Sequence, residues 1–387
     1  METITKSVAY VGVDDENIDL FESQYAVPNG MAYNSYIIFD EKIAVMDTVD
    51  KRCADAWLAN VTEALGDKSP DYLVIHHLEP DHAGCIQVLA ERYPAMKLVG
   101  NKKTFAMLPQ FFDSLPLSAD RLVTVGEGDT LSLGTHTLTF FLAPMVHWPE
   151  AMVSFESSEG ILFSADAFGK FGVRAADEDW TCEARRYYFN IVGKYGGPVQ
   201  TLLKKLAGAS VNIICPLHGP ILTENLGFYI DKYTLWSSYE PEDEGVTIAC
   251  ASIHGNTMKA AQKLKELLEA KGAKKVALFD LSRCDMAEAV EDAFRYDTLV
   301  LAAASYDGGV FPPMEDFLHH LVSKMYQNRK IAYVQNGSWG PTATRTMKEI
   351  TAKLKNITEV EPSVTILSAM KQADLPNLEA LADAILA

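Results

Sequence analysis

The chain has 387 residues, 48% of them apolar and 22% charged, with a formal net charge of −18. That length suits two domains, and the composition suits an ordinary globular core. The acidic balance excludes a general affinity for nucleic acid, whose phosphates need a basic surface.

No apolar run is long enough to span a bilayer, so no transmembrane helix is expected. The opening residues, METITKSVAYVGVDDENIDLF, turn acidic early and lack the pattern of a signal peptide. A cytoplasmic location is therefore expected. Cysteines stand at 53, 85, 182, 215, 250 and 284. None forms a CxxC pair, which excludes a disulfide scaffold, a rubredoxin-type iron site and a zinc ribbon.

The first predicted elements are β-rich: AYNSYIIF from Ala32 and KIAVMDTV from Lys42, joined by Asp40-Glu41 as a hairpin. Further strands are expected at Tyr72 to His76, Leu138 to Leu142, Gly160 to Ser164 and Val211 to Cys215. Potential ligands follow the ends of these strands, as when a rigid sheet presents polar groups at its mouth. Ser237 to Gly245 (SSYEPEDEG) is polar and acidic and reads as an interdomain linker. Beyond it, strands at Val246 to Ala251, Val276 to Leu281, Thr298 to Ala303, Lys330 to Val334 and Val364 to Leu367 alternate with helices. The helix from Thr257 to Ala270 carries Leu264, Leu267 and Leu268 on one side. Alternation of this kind implies a parallel sheet covered on both faces.

The densest chemistry is the run HHLEPDH, with His77, Glu79, Asp81 and His82 in H-x-E-x-D-H register. His147, Asp166 and His218 come later, near other strand ends. One histidine at a strand end is ordinarily a cap or packing group; the joint set points to metal. Mixed imidazole and carboxylate ligation suits iron, manganese or zinc. Two adjacent metals need a bridging carboxylate, and Asp166 is the isolated candidate. His76 falls out of register and would point the opposite way, as a packing or ligand-supporting residue.

In the second half, three loops lie at C-terminal ends of predicted parallel strands, where open α/β sheets bind ligands. The first is Ser252-Ile253-His254-Gly255-Asn256-Thr257, opening a helix whose N-terminus can hold a phosphate. The others are Ala304-Ser305-Tyr306-Asp307-Gly308-Gly309 and Asn336-Gly337-Ser338-Trp339-Gly340. Tyr306 and Trp339 could flank a flat ring. The first loop alone would be an ordinary helix cap.

The ordered set H-x-E-x-D-H, His147, Asp166, His218 resembles the metallo-β-lactamase fold. Most hydrolytic members carry H-x-H-x-D-H and bind zinc. Here Glu79 stands at the second histidine, which resembles the flavodiiron proteins (A-type flavoproteins), and the three later loops resemble flavodoxin. The resemblance implies an α/β chain: a metallo-β-lactamase-like αβ/βα sandwich over 1–243, then a flavodoxin-like doubly wound parallel five-stranded sheet over 246–387. It implies one iron on His77, Glu79 and His147, and another on Asp81, His82 and His218, with Asp166 bridging. It implies flavin mononucleotide (FMN) on the three loops. It also implies an oxidoreductase that reduces dioxygen to water, nitric oxide to nitrous oxide, or both. Electrons would come from a separate donor such as rubredoxin, a flavin reductase or a reduced deazaflavin. The assembly implied is a head-to-tail homodimer, or a tetramer built from it.

Two departures stand out. Many members have Phe-His-Gly where this chain has Phe21-Glu22-Ser23, and asparagine is frequent where it has Asp307. The rival readings are a metal-dependent hydrolase of the metallo-β-lactamase superfamily, with metal-bound hydroxide as nucleophile, and a flavodoxin-type electron carrier with a structural metal domain.

Overall fold

The structure is a computed structural model that describes residues 2–113, 115 and 118–387. The chain divides into two units: Met1–Tyr187 with Tyr195–Thr234, and Tyr188–Lys194 with Leu235–Ala387.

In the first unit, side chains alternate along each strand, so residues two apart share a face. Tyr36 and Ile38, Ala44 and Met46, and Tyr72 and Val74 lie on one face of a seven-stranded sheet. They pack in one core with Leu138 and Phe140, Met152, and Ile161 and Phe163 from a five-stranded sheet. The intervening residues Ile37, Val45, Leu73 and Leu98 are fully buried too, so the larger sheet is covered on both faces. The expected hairpin forms with short strands, Tyr36–Ile38 and Ala44–Met46, paired antiparallel with Tyr36 opposite Met46. Strands Tyr72–Val74, Thr137–Leu142, Ile161–Phe163 and Ile213–Cys215 lie where strands were predicted, within a few residues.

The second unit carries five parallel strands. Their order is Val276–Asp280, Asp243–Ala251, Tyr296–Tyr306, Gln327–Asn336 and Lys355–Ile366. In chain order that is 2-1-3-4-5, the flavodoxin-like winding. Val246, Ile248, Cys250, Val300, Ala302, Ala332 and Val334 form one face, covered by the helices Asn256–Ala270 and Leu375–Leu386. Leu264 and Leu268 are fully buried there, and Leu267 is partly so. Truncating either buried leucine to alanine would cost about 2–5 kcal/mol.

Two sequence expectations change. Ser237 to Gly245 is not a free linker: the helix Leu226–Ser238 runs into it, and the strand Asp243–Ala251 begins inside it. Its acidic groups are engaged. Glu242 Oε2 accepts the Trp236 indole N–H at 2.7 Å, and Asp243 Oδ2 accepts Arg295 Nε–H at 2.8 Å. The last strand is also longer than Val364 to Leu367, because an edge strand pairs on one side and tolerates the polar residues and Pro362 that hid it.

Candidate metal centre and flavin pocket

The first unit brings all seven predicted metal residues together in two groups. Ligand atoms of His77, Glu79, His147 and Asp166 lie within 4.8 Å of one another, and so do those of Asp81, His82 and His218. The two groups share Asp166. Its Oδ2 is 3.4 Å from His77 Nε2 and 3.3 Å from His147 Nε2. Its Oδ1 is 3.3 Å from His82 Nε2 and 3.8 Å from His218 Nε2. One carboxylate therefore presents one oxygen to each group.

Each side chain is set by local structure. His77 and Glu79 follow the strand Tyr72–Val74, and Asp81 and His82 sit on the short helix Pro80–Ala83. His147 stands between Thr137–Leu142 and Met152–Glu156; Asp166 follows Ile161–Phe163, and His218 follows Ile213–Cys215. The His218 loop is held from afar. Asn34 Nδ2–H donates to Pro216 O and Gly219 O, both at 2.9 Å, and Tyr36 O–H donates to Pro216 O at 2.6 Å.

The hydrogen bonds fix the tautomers. His77 Nδ1–H donates to Glu150 Oε1 at 2.8 Å, and His218 Nδ1–H donates to Ala32 O at 2.8 Å. In each ring Nε2 faces the cluster. His82 Nε2 and His218 Nε2 lie 3.0 Å apart. Both oxygens of Asp81 and both of Asp166 are buried and make no hydrogen bond among the described residues. Buried, unsatisfied acceptors are costly unless a proton or a cation sits among them. The donor set fits a pair of transition-metal cations.

Without a metal, protons must do that work. Burial pulls His82 and His147 down, but Asp81 and Asp166 at His82, and Asp166 and Glu79 at His147, outweigh it. The rings are held up to about 10 and about 9. His77 is likewise raised well above its usual value, burial being outweighed by Asp166, Glu150 and Glu79. Burial opposes charge at Asp166 and Asp81, yet the surrounding imidazoles hold both well below the carboxylate range.

His76 stays outside both groups. Its Nδ1–H donates to Asp47 and its Nε2 lies 2.8 Å from Ser154 Oγ, so it ties the end of Ala44–Met46 in the larger sheet to Met152–Glu156 in the five-stranded sheet. A cavity of about 390 Å³, lined by Phe21, Glu22, Ser23, Tyr33 and Arg52 among others, reaches Glu79 and Asp81. Glu22 lies beside Glu79; burial and that second carboxylate push it up to about 7.

The second unit holds a cavity of about 670 Å³ at the C-terminal ends of its strands. Of the predicted flavin residues, Ser252, His254, Asn256 and Thr257 line it from the first loop. Ala304, Ser305, Tyr306, Asp307 and Gly308 line it from the second, and Asn336, Gly337, Ser338 and Trp339 from the third. Gly255 and Gly309 are outside the lining. Gly255 instead supplies the left-handed turn, φ 81°, that opens the helix Asn256–Ala270. Among the described residues, Ser252 Oγ is buried without a hydrogen bond, and the helix start has no side-chain cap. Both leave donors for an anionic group. Trp339 is 87% exposed and Tyr306 44%, leaving ring faces available to a planar ligand.

The strand Tyr296–Tyr306 runs past Ala303 and takes in Ser305 and Tyr306. A two-residue turn then folds Gly309–Val310 back on it, with φ of 47° at Asp307 and 75° at Gly308. Positive φ at both central residues is the type I′ hairpin, where aspartate and asparagine are both at home. Ser305 Oγ is not free for a ligand's donors, since it accepts the Thr342 and Ala343 backbone N–H groups at 2.8 and 3.1 Å, which leaves its O–H to donate. Ile253 and Gly340 of the first and third loops line the cavity too; sequence reasoning missed Thr342 and Ser368, which also line it, and Glu150 behind His77.

Residues 31–219 match the family described as ODP family beta lactamase. The chain is similar to the nitric oxide reductase of Moorella thermoacetica, 29% identical over 93% of this chain and 92% of that one. The rubredoxin oxygen:oxidoreductase structure from Desulfovibrio gigas superposes with a TM-score of 0.92 at 27% identity, covering 99% of this chain and 97% of the other. The flavodiiron protein from Giardia intestinalis shares the fold, with a TM-score of 0.89 at 21% identity over 100% of this chain and 96% of that one.

Proposed function

We propose that this chain, whose homologues and structural neighbours are rubredoxin–oxygen oxidoreductase, nitric oxide reductase and flavodiiron proteins, is itself a flavodiiron oxidoreductase. It reduces dioxygen to water, nitric oxide to nitrous oxide, or both. His77, Glu79 and His147 would hold one iron, Asp81, His82 and His218 the other, and Asp166 would be shared between them. When bound, the irons supply the redox centre for the gas and FMN supplies stored electrons.

The residues supply position and electrostatics. Glu150 orients His77, and the backbone carbonyl of Ala32 orients His218, so both rings turn Nε2 inward. Glu79, in place of a third imidazole, adds an anionic oxygen that favours harder iron over zinc. The cavity reaching Glu79 and Asp81 offers a small gas a way in. Ser252, Thr257 and the start of the helix Asn256–Ala270 would hold the FMN phosphate, and Tyr306 and Trp339 would flank its ring. A separate donor, of the rubredoxin, flavin-reductase or reduced-deazaflavin kind, would supply the electrons in a cytoplasmic setting. A head-to-tail homodimer would bring the two cofactor sites together.

The observation that carries this reading is the split of Asp166 between the two ligand groups. A hydrolase would need only water and metal; the anion-ready second pocket argues for redox work. The test is steady-state consumption of each gas by iron- and FMN-loaded protein with a chemically reduced donor. Turnover of dioxygen or nitric oxide supports the reading. Consumption of neither gas, together with hydrolysis of ester or lactam substrates, would replace it with the hydrolase.

A further inference from the structure

A third cluster of ligand-type side chains lies in the first unit, apart from the seven residues above: His136, Glu156 and Glu159. His136 immediately precedes the strand Thr137–Leu142, and Glu156 ends the strand Met152–Glu156. Ligand atoms of all three lie within 4.8 Å of one another.

His136 is only 7% exposed, yet its Nδ1 makes no hydrogen bond among the described residues. It lies 3.1 Å from Glu156 Oε1. Glu156 is wholly buried, and its carboxylate is fixed by two backbone donors. Ser158 N–H donates to Oε1 at 2.7 Å, and Glu159 N–H donates to Oε2 at 2.8 Å. Glu159 Oε2 in turn accepts the Thr5 hydroxyl at 2.7 Å and the Ser7 hydroxyl at 2.9 Å. Asp40 adds negative charge beside the cluster, its Oδ2 accepting the His136 backbone N–H at 2.6 Å.

Nitrogen and oxygen at this separation without a hydrogen bond is the relation two ligands of one cation show. The iron-type centre repeats it: His82 Nε2 stands 3.3 Å from Asp166 Oδ1, whose oxygens likewise make no hydrogen bond. One imidazole and two preoriented carboxylates suit a divalent transition metal, with water completing the coordination.

We propose that His136, Glu156 and Glu159 form a third metal site, which takes a divalent cation such as zinc and has a structural role. Through Glu159 it fastens the segment bearing Thr5 and Ser7 to the strands that begin after His136 and end at Glu156.

The test uses full-length, iron-loaded protein equilibrated with Zn²⁺ and freed of loose metal by gel filtration, with zinc and iron counted by elemental mass spectrometry. His136→Gln should carry about one zinc fewer per chain than the unmodified protein, with iron unchanged. Glu159→Gln changes a less buried ligand and keeps the shape of the side chain. It should lose zinc too, and it decides the matter should His136→Gln fail to fold. Equal zinc in the unmodified protein and the folded variants would overturn the site and leave His136 and Glu156 as a buried ion pair. Because iron is counted separately, that failure is distinct from any failure of the di-iron reading.

Discussion

Glu150 Oε1 lies 2.8 Å from His77 Nδ1 and at the same time accepts the Leu78 backbone N–H at 2.9 Å. One carboxylate oxygen thus fixes both the ring and the backbone that follows it. Glu150 is itself pinned, since Asn101 Nδ2–H donates to its carbonyl at 2.6 Å. Carboxylates behind ligating imidazoles fix the tautomer and raise ligand basicity.

Glu150→Gln keeps the shape and removes the charge. Iron affinity should fall by about 10- to 100-fold, the usual effect of losing such a partner. Iron retained during a timed chelator challenge measures it. Retention equal to that of the unmodified protein would show that Glu150 only packs.

The raised imidazoles give the metal-free protein a distinctive pH response. His147 and His82, held up to about 9 and about 10, lie above the value of about 6.5 expected in the unfolded chain. Such groups stabilise the fold fully below the unfolded value, and that contribution is lost as pH rises through the folded values. Chelated protein should therefore lose Tm between about pH 6.5 and 10. Iron-loaded protein should lose less there, because coordination has already displaced those protons. Parallel thermal melts of the two forms across this range settle the sign. A Tm of the chelated form that is flat or rises would contradict it.

The proposed phosphate site in the second unit's cavity consists of Ser252 and Thr257. Ser252→Ala with Thr257→Val should weaken FMN binding by about tenfold or more, the worth of a charge-assisted hydrogen bond. Iron content should stay the same. Flavin absorbance per chain after gel filtration reads the effect, and full flavin retention would move the phosphate elsewhere.

Head-to-tail pairing has its own test. One subunit would carry Asp166→Ala and the other the Ser252 and Thr257 changes. This mixed dimer keeps one flavin and one iron pair on different subunits, so two-fold symmetry predicts roughly half of full activity. Each mutant homodimer, freed of loosely held flavin by gel filtration, should be inactive. An inactive mixed dimer would contradict pairing across subunits.

What the sequence made legible follows range. The H-x-E-x-D-H run is compact, and strand ends are marked by apolar runs, so His77, Glu79, Asp81 and His82 could be read together. The same β-rich and apolar runs located most strands. Glu150 stayed hidden because nothing in HWPE says that it meets His77, 73 positions away. The Asn34 brace on the His218 loop spans 182 positions to Pro216, beyond any local pattern. The acidic stretch at 237–245 misled for a related reason. Its charges look solvated in sequence, but Trp236 and Arg295 engage two of them.

The central claim is that Asp166 joins two ligand groups into one two-metal centre. It is tested most directly by the iron content of the unmodified protein and of Asp166→Ala, both grown with adequate iron. Unmodified protein should hold about two irons per chain, the count a bridged centre requires. Asp166→Ala should lose iron from both positions while keeping its FMN. Full iron and full activity in Asp166→Ala, or stoichiometric zinc with no iron in the unmodified protein, would contradict the account.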